Sequence, residues 1–494
     1  MHFSRLLIVT LLITGFNTVT PAYSQTAGTL AWTYDTGELV YATASQNASG
    51  RVFIGSESGV LHALDITTSS ASQAWTFATG DWIDSSASIY GNTVYVGSWD
   101  SNLYAINANT GAQEWAFETG SLIIGSPAVG ADGTAYIGSS DGVFYAVRSN
   151  GSEKWQYNVG SEIDSSPAIG DNGNIYFGSY DGVFHAVSTA GQPKWTYTVD
   201  TVDGLESRIA SSPALDYQGN IYFGAGNGYF YCLSPDGALN WSFQTAEEID
   251  SSPVFDESGN VYFASRDGYL YSLDPNGVEN WRALVGDVFY SSAAVDEAGN
   301  LYIAAYVGDG ITAIYSFTPN GELIWDYELP SVTDSSIVIT NDGLLLIGAE
   351  DGNLYAIHTG TGPGTTAWPK FGLDAGNTAN TYTNPVTPDD PLYYFSTGAE
   401  TAGGWYYVPG VGFLNTSFFP WCFHETMDWF YAGAGGSGEY WLWHLSLEDW
   451  VWTTETDFPN LFSVNQDAWI AYFVGDNSEQ LYWVSTTDEW IIIQ

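Results

Sequence analysis

The sequence predicts an all-β protein, an eight-bladed β-propeller followed by a small aromatic-rich antiparallel β-hairpin module. Three observations predict it. Tryptophan recurs at nearly constant spacing, the stretches between the tryptophans repeat the same phrases, and the composition changes sharply beyond residue 390. Repeats of about 40–50 residues are typical of propeller blades. Nine tryptophans bound eight repeats, at positions 32, 75, 115, 155, 195, 241, 281, 325 and 368.

Each repeat has the pattern of four short strands joined by turns. Repeat four contains the phrases SSPAIG (165–170), DNGN (171–174), IYFGS (175–179), VFHAVS (183–188) and KWTYTV (194–199). The first phrase returns as SSPALD (211–216), SSPVFD (251–256) and SSAAVD (291–296). Four antiparallel strands joined by tight turns form a propeller blade, and one blade alone cannot bury both of its faces. We therefore expect residues 25–372 to close into one ring.

Ring closure needs a strand from each end of this region. Eight sets of inner strands follow the Trp32 strand, yet there are nine tryptophan strands. We predict that residues 30–35 supply the outer strand of the last blade by pairing with residues 353–358, which leaves no exposed edge at the seam. Trp368 would then pack as a cap.

Aligning the repeats explains three side chains that might suggest chemistry. His62 and His185 stand where other repeats have tyrosine, and Cys232 stands where they have alanine or serine. We expect the two histidines to be packed rings rather than metal ligands. We expect Cys232 to be a small packed residue rather than a nucleophile or half of a disulfide.

Two repeats are longer than the others. Repeat five has six extra residues near 202–208, before its first strand, and repeat seven is longer around 307–312. Insertions on one rim of a repeat protein are common places for specific contacts, although neutral drift of loop length gives the same pattern.

The N-terminus is typical of a secretory signal, residues 1–24. Arg5 provides a positive region, residues 6–16 are mostly apolar but too short to span a bilayer, and Ala22-Tyr23-Ser24 fits a cleavage site. We expect an exported protein that is periplasmic, cell-surface or secreted. No later segment is apolar enough to predict a transmembrane segment.

The net charge of −47 arises because bases are scarce: Lys and Arg number 9 against 56 Asp and Glu. Such a surface repels nucleic acid and anionic lipid, so we exclude both as partners. The charge favours cations and neutral polymers instead.

A linker, residues 373–390, precedes a different kind of sequence. Residues 391–494 hold 27 aromatic residues and no Lys or Arg, and aromatic pairs recur across short turns. This pattern predicts a Trp-rich β module built of hairpins. The rings either pack a dense core or bind a surface polymer by stacking on sugars or caging quaternary ammonium groups. The candidate polymer contacts are Trp405, Trp421, Trp441, Trp450, Trp469, Trp483 and Trp490.

Aspartate recurs nine residues after the tryptophan in every second repeat, just before the innermost strand. If that strand lines the axis, four carboxylates ring one mouth of the channel and can hold a cation or a basic peptide. Alternatively, each Asp caps the backbone of the following serine in a turn. The candidate channel acidic ring is Asp84, Asp164, Asp250 and Asp334.

The phrases ALDITTSSASQAW (63–75) and AINANTGAQEW (105–115) resemble the tryptophan-docking motif of pyrroloquinoline-quinone-type (PQQ-like) propeller repeats. The resemblance covers roughly residues 30–372 and implies that the Trp of each blade stacks on its neighbour. The family includes quinone-dependent dehydrogenases and non-catalytic scaffolds. In layout the chain resembles the propeller subunit of the bacterial outer-membrane assembly machine.

The residues favour the scaffold over the enzyme. The chain has no adjacent cysteines, its bases are scattered through the repeats, and no Glu/Asn/Asp set matches the family's calcium site. We therefore expect no catalytic residues, no cofactor and no metal. The predicted function is an exported binding or assembly scaffold, with an envelope or extracellular protein or a surface polysaccharide as partner. The alternative is a quinone- or metal-dependent periplasmic dehydrogenase.

Overall fold

The computed structural model describes residues 26–364 except 203, 288 and 289, together with Gly372 and the strand backbones of the C-terminal region. The signal region, the 373–390 linker and Trp368 lie outside the described residues. Among the described residues, no helix is both long and apolar enough to cross a membrane.

The propeller consists of eight four-stranded antiparallel sheets, numbered here as blades 1 to 8. The first strand of the chain is β1 (Leu30–Asp35). Blades 1 to 4 contain β2 (Ser45–Gln46), β3 (Arg51–Gly55), β4 (Val60–Thr67), β5 (Ser70–Ala78), β6 (Ser88–Tyr90), β7 (Thr93–Gly97), β8 (Asn102–Asn107), β9 (Gln113–Glu118), β10 (Ala128–Val129), β11 (Ala135–Gly138), β12 (Val143–Val147), β13 (Glu153–Asn158), β14 (Ala168–Ile169), β15 (Asn174–Gly178), β16 (Val183–Ser188) and β17 (Pro193–Thr198). Blades 5 to 8 contain β18 (Ala214–Leu215), β19 (Ile221–Gly224), β20 (Tyr229–Leu233), β21 (Leu239–Gln244), β22 (Val254–Phe255), β23 (Val261–Ala264), β24 (Tyr269–Leu273), β25 (Glu279–Leu284), β26 (Ala294–Val295), β27 (Leu301–Gly308), β28 (Ile311–Phe317), β29 (Leu323–Leu329), β30 (Val338–Ile339), β31 (Leu344–Gly348) and β32 (Asn353–His358).

The two ends of the propeller meet in blade 8. Its sheet has the order β1-β32-β31-β30, so the N-terminal strand is the outer strand of the last blade. The pairing is antiparallel, with Trp32 opposite Ala356 and Asp35 opposite Asn353. The predicted ring closure is confirmed. It ties the first strand to the last across more than three hundred residues of chain.

The tryptophan that recurs in each blade packs on the next blade. The Trp195 indole N–H donates to the carbonyl of Pro235 at 3.0 Å. A Cβ placed on Gly237 in the same turn would lie 2.5 Å from the Trp195 ring, so the indole lies flat on the glycine. The same contact at the ring seam pairs Trp325 with Gly28, just before β1. These contacts confirm that each tryptophan stacks on its neighbour. The indole-to-carbonyl bonds are Trp32–Thr67, Trp75–Ala108, Trp115–Ser149, Trp155–Thr189, Trp195–Pro235, Trp241–Pro275 and Trp281–Pro319.

The core lies between neighbouring sheets and is mostly aliphatic, with aromatic rings stacked between successive blades. Phe230 and Phe263 of successive blades stack with ring centroids 4.0 Å apart. His62 and His185 are buried among such rings, and His185 stacks on Phe177. Cys232 is a free, buried cysteine opposite Trp241. The predicted packing of these two histidines and this cysteine is confirmed.

A closed ring of hydrogen bonds joins the inner strands of all eight blades. The backbone N–H of one Ser or Thr in each blade donates to the equivalent hydroxyl oxygen of the next blade, at 2.8–3.3 Å. The last bond runs from Ser336 to Thr43 and closes the circle. We call these residues the hydroxyl belt. They are Thr43, Ser86, Ser126, Ser166, Ser212, Ser252, Ser292 and Ser336.

The C-terminal strands form one eleven-stranded antiparallel sheet in chain order. They are β33 (Ala399–Ala402), β34 (Trp405–Val408), β35 (Gly412–Phe418), β36 (Trp421–His424), β37 (Asp428–Ala434), β38 (Glu439–His444), β39 (Asp449–Thr454), β40 (Asn460–Ser463), β41 (Ala468–Val474), β42 (Gln480–Val484) and β43 (Glu489–Ile493). The register places aromatic residues directly opposite each other, as in Tyr407–Phe413, Phe423–Trp429, Trp443–Trp450, Phe462–Trp469 and Trp483–Trp490.

Candidate functional site at the channel mouth

Two sets of loops meet at one end of the propeller, which we call the loop face. The entry loop of a blade leads from the previous outer strand into its inner strand, and the mouth turn joins its second and third strands. In blade 2 the N–H of Trp99 in the mouth turn donates to the carbonyl of Trp82 in the entry loop at 2.9 Å. This bond fixes the two loops side by side. It recurs as Glu57–Leu39, Ser140–Leu122, Tyr180–Glu162, Gly226–Arg208, Arg266–Glu248, Tyr306–Asp287 and Glu350–Val332.

Each blade therefore places two residues on this face. One lies in the entry loop, two positions before the hydroxyl-belt residue, and the other lies in the mouth turn. These sixteen positions differ strongly from blade to blade, although the surrounding phrases repeat. In blade order the pairs are Tyr41 and Glu57, Asp84 and Trp99, Ile124 and Ser140, Asp164 and Tyr180, Ala210 and Gly226, Asp250 and Arg266, Tyr290 and Tyr306, and Asp334 and Glu350.

The four predicted aspartates occupy equivalent entry-loop positions on this face, but their surroundings are not equivalent. Asp250 is fully buried and paired. Its Oδ2 accepts from Arg208 at 2.9 Å and from Arg266 at 2.7 Å. Two of the nine Lys and Arg side chains of the sequence thus pair with one carboxylate.

Asp164 accepts hydrogen bonds from hydroxyl groups. Burial is the main cause that raises its pKa, whereas hydrogen bonding from Tyr180 and the nearby Arg208 lower it. Ser140 of the previous blade donates to its Oδ1 at 3.5 Å.

Asp84 and Asp334 have no comparable partner. Burial, and after it the negative charge of Glu57 or Glu350, respectively, raises the pKa of each to about 6. The Trp99 indole lowers the pKa of Asp84, and Arg266 lowers that of Asp334. The Oδ1 atoms of both aspartates are buried without a hydrogen-bond partner.

The second serine after each Asp is not capped by that carboxylate. The N–H of the second serine after each Asp donates to the hydroxyl belt, for example Ser86 to Ser126 at 2.9 Å. The Oδ1 atom of Asp250, like those of Asp84 and Asp334, has no hydrogen-bond partner.

The arginine sector of the loop face lies at blades 5 to 7. It comprises Arg208, Arg266, Leu284, Tyr290 and Val307. Arg208 is delivered by the insertion of repeat five and also pairs with Glu248 at 2.8 Å. The Arg266 guanidinium lies 5.3 Å from the centroid of the Tyr290 ring. The exposed fractions of Leu284, Tyr290 and Val307 are 71%, 44% and 44%.

The insertion of repeat seven lengthens the β27–β28 hairpin on the same face. The hairpin pairs as far as Gly308 and Ile311, and its tip contains Asp309 with a φ of 54°. Both insertions thus stand on the loop face, on either side of blade 6.

The opposite sector is acidic. The acidic arc comprises Glu57, Asp84, Asp334 and Glu350 from blades 1, 2 and 8. The Tyr41 hydroxyl donates to Glu350 at 3.2 Å inside this arc. The negative charges of Glu350 and Glu38 raise the pKa of Glu57, after burial.

The sequence revealed the aspartates but not the mouth-turn residues. Their signal is the most variable letter of a recurring phrase, as in GSYDG (178–182) and ASRDG (264–268). A position that varies while its neighbours repeat is free of the ring's packing constraints.

Among the described residues, no group of three or more His, Cys, Asp or Glu side chains could hold a metal ion. The side chains of the seven tryptophans predicted to contact a polymer lie outside the described part of the chain, although the backbone places each in a strand.

Comparison with known proteins identifies the family. The model of the family described as outer membrane protein assembly factor BamB matches residues 16–207 and 187–401, which is well over half of the chain. The chain belongs to the BamB family. Membership confirms the predicted PQQ-like propeller and the resemblance to an outer-membrane assembly subunit. No curated protein sequence matches the chain.

Solved structures agree with this fold. BamB from Moraxella catarrhalis is 18% identical, with a TM-score of 0.56 over 67% of this chain and 99% of that one. The computationally designed Ika8 protein is 17% identical, with a TM-score of 0.53 over 66% and 97%. Sqt1 of Saccharomyces cerevisiae is 16% identical, with a TM-score of 0.57 over 67% and 99%. At these identities the similarity concerns the fold.

Proposed function

We propose that this BamB-family protein is an exported, non-catalytic scaffold of the cell envelope that binds a protein partner on the arginine sector of its loop face. Family membership favours an assembly scaffold over an enzyme. Function must still be argued from the site, because a propeller fold alone supports many activities.

The observation that carries the proposal is the coincidence of two insertions with exposed apolar groups. The insertions of repeats five and seven flank blade 6, and Leu284 and Val307 are exposed beside them. Large apolar side chains grouped on a charged surface mark interaction sites. Arginine and tyrosine, here Arg266 over Tyr290, are enriched among residues that dominate binding energy.

The charges of the arginine sector suit a protein partner. Arg208 and Arg266 pair with Glu206, Glu248 and Asp250, so this sector is less acidic than the chain as a whole. A less acidic patch reduces the repulsion of an acidic or neutral protein partner. Burying Leu284 or Val307 would contribute roughly 1.5–3 kcal/mol each.

The experiment is a comparison of full-length variants in a pull-down from envelope extract. Leu284→Ser with Val307→Ser should lose the partner that the wild type retains. Val278→Ser is the matched control, since Val278 is 62% exposed but lies in the turn before β25, at the other end of blade 6. Retention of the partner by the double variant, or its loss in the control, contradicts the proposal.

The second part of the proposal is that the C-terminal module attaches the protein to a surface polymer. It has no Lys or Arg and ten tryptophans in 104 residues, which suits a neutral or quaternary-ammonium ligand. The full chain should sediment with cell-wall polysaccharide, and choline should change its tryptophan fluorescence. A chain ending at Thr381, the boundary of the propeller unit, should do neither. Equal sedimentation of both chains would contradict this role.

A further inference from the structure

Blade 2 carries an aromatic pair at the edge of the acidic arc. Trp82 of the entry loop and Trp99 of the mouth turn lie with ring centroids 4.8 Å apart at 48°. Trp82 is 39% exposed, and the Trp99 indole N–H is buried without a hydrogen-bond partner. The Trp99 indole also faces Asp84 closely enough to lower the pKa of that carboxyl. The tryptophans and the arc therefore form one continuous surface.

Among the described residues the acidic arc has no ion-pair partner, and the one positive charge that acts on it is that of Arg266, which lowers the pKa of Asp334. None of the ion pairs within the described propeller involves Glu57, Asp84, Asp334 or Glu350. These groups act on one another, because Glu57 raises the pKa of Asp84 and Glu350 raises those of Glu57 and Asp334. A cluster of like charges that the fold does not neutralise indicates an external counter-charge.

Blade 6 shows what the missing group is. There, at the same ring position, Asp250 accepts from Arg266 at 2.7 Å, and the guanidinium lies over the Tyr290 ring. Blade 2 repeats the carboxylate as Asp84, but Trp99 stands at the position of Arg266, and Ile124 stands at the position of Tyr290. The position that holds a cation in blade 6 thus holds an aromatic ring in blade 2, and Asp84 lacks the cation that pairs with Asp250.

We propose that the Trp82–Trp99 pair and the acidic arc bind an arginine- or lysine-bearing peptide segment of a partner protein. A guanidinium provides several donors to the unpartnered carboxylate oxygens and stacks on indole faces. Charge complementarity selects this occupant, since the arc is negative on a chain of net charge −47. The proposal rests on the scaffold function only in that the partner is a protein, and it uses a different sector of the loop face.

The test is calorimetric titration of the full-length protein with tetra-arginine amide at about 0.15 M salt, where long-range attraction is screened within about 8 Å. Tetra-citrulline amide, which is neutral and of similar shape, should not bind. Asp84→Asn with Glu57→Gln should weaken tetra-arginine binding at least about tenfold, because charge-assisted hydrogen bonds are lost. Trp82→Ala should weaken it about threefold or more.

The matched control removes two charges elsewhere. Asp236 and Glu322 are exposed in turns at the opposite end of blades 5 and 7, so Asp236→Asn with Glu322→Gln lowers the net charge equally. This variant should bind like the wild type. Equal weakening in both double variants, or no weakening in either, would overturn the proposal. Should Asp84→Asn impair folding, Glu57→Gln alone gives the same readout. Failure here leaves the pull-down on the arginine sector unaffected, so the two proposals fail separately.

Discussion

Replacing Asp84 by asparagine should stabilise the protein at neutral pH. Burial and the nearby Glu57 raise the pKa of Asp84 from 3.8 to about 6. The folded state therefore binds this proton more tightly than the unfolded state, and stability falls as pH rises from about 4 to 6. At about 1.4 kcal/mol per pKa unit, this rise of about 2 lowers the free energy of unfolding by roughly 3 kcal/mol above that pH window. Asparagine keeps the shape and has no charge to lose.

The gain should appear as a higher melting temperature at pH 7.5. With about 2.1 cal/mol/K of unfolding entropy per residue over roughly 340 propeller residues, 3 kcal/mol corresponds to about 4 °C. At pH 4 the gain should fall below about 1 °C, because the carboxyl is then protonated in the folded protein and half-protonated in the unfolded chain.

Differential scanning calorimetry of the wild type, Asp84→Asn and Asp236→Asn at both pH values measures the effect. Asp236 is exposed in a turn at the end of blade 5 away from the loop face, so the melting temperature of its variant should match that of the wild type at both pH values. The reasoning is refuted if Asp84→Asn lowers the melting temperature at pH 7.5, or raises it equally at pH 4. A confirmed gain would show that the channel mouth keeps a charge at the expense of stability, as binding sites often do.

Three further outcomes follow from the fold. In urea unfolding, Gly237→Ala should destabilise the propeller by at least about 2 kcal/mol more than Gly37→Ala. Both glycines have a positive φ, but only at Gly237 would an added Cβ meet an indole, that of Trp195, at 2.5 Å. Ser252→Ala should cost about 1–3 kcal/mol, because it leaves the half-buried Ser212 N–H of the hydroxyl belt unpaired. Ser258→Ala, in an exposed turn at the end of blade 6 away from the loop face, should cost little. Pyrroloquinoline quinone with Ca²⁺ should leave no absorbing species bound after gel filtration, and a retained quinone would restore the dehydrogenase alternative.

The sequence was sufficient to predict the ring because docking is local to each repeat. Trp195 and Gly237 lie at fixed places in successive repeats, so their spacing carries the contact between blades. The surplus tryptophan strand identified the seam, which the pairing of β1 with β32 confirms. The aspartates of the mouth were found for the same reason, since they keep a constant distance from each tryptophan.

The different surroundings of the four aspartates could not be predicted from the sequence. Arg208 comes from the insertion in the entry loop of blade 5 and Arg266 from the mouth turn of blade 6, and both reach Asp250 only once these loops pack side by side. The hydroxyl belt was missed for a similar reason. Its signal, the repeated double serine, is visible in the sequence, but the bond from Ser212 to Ser252 exists only between neighbouring inner strands.

The most direct test of the account is hydrogen exchange of the full-length protein with and without its envelope partner, captured and then identified. If the loop face binds the partner, residues 205–210, 264–268, 284–287 and 305–311, which carry most of the arginine sector, should be protected. The turns at the other end of the same blades, residues 235–239 and 275–279, should show no change. Protection confined to those outer turns, or no protection anywhere in the propeller, would contradict the claim that the loop face binds the partner.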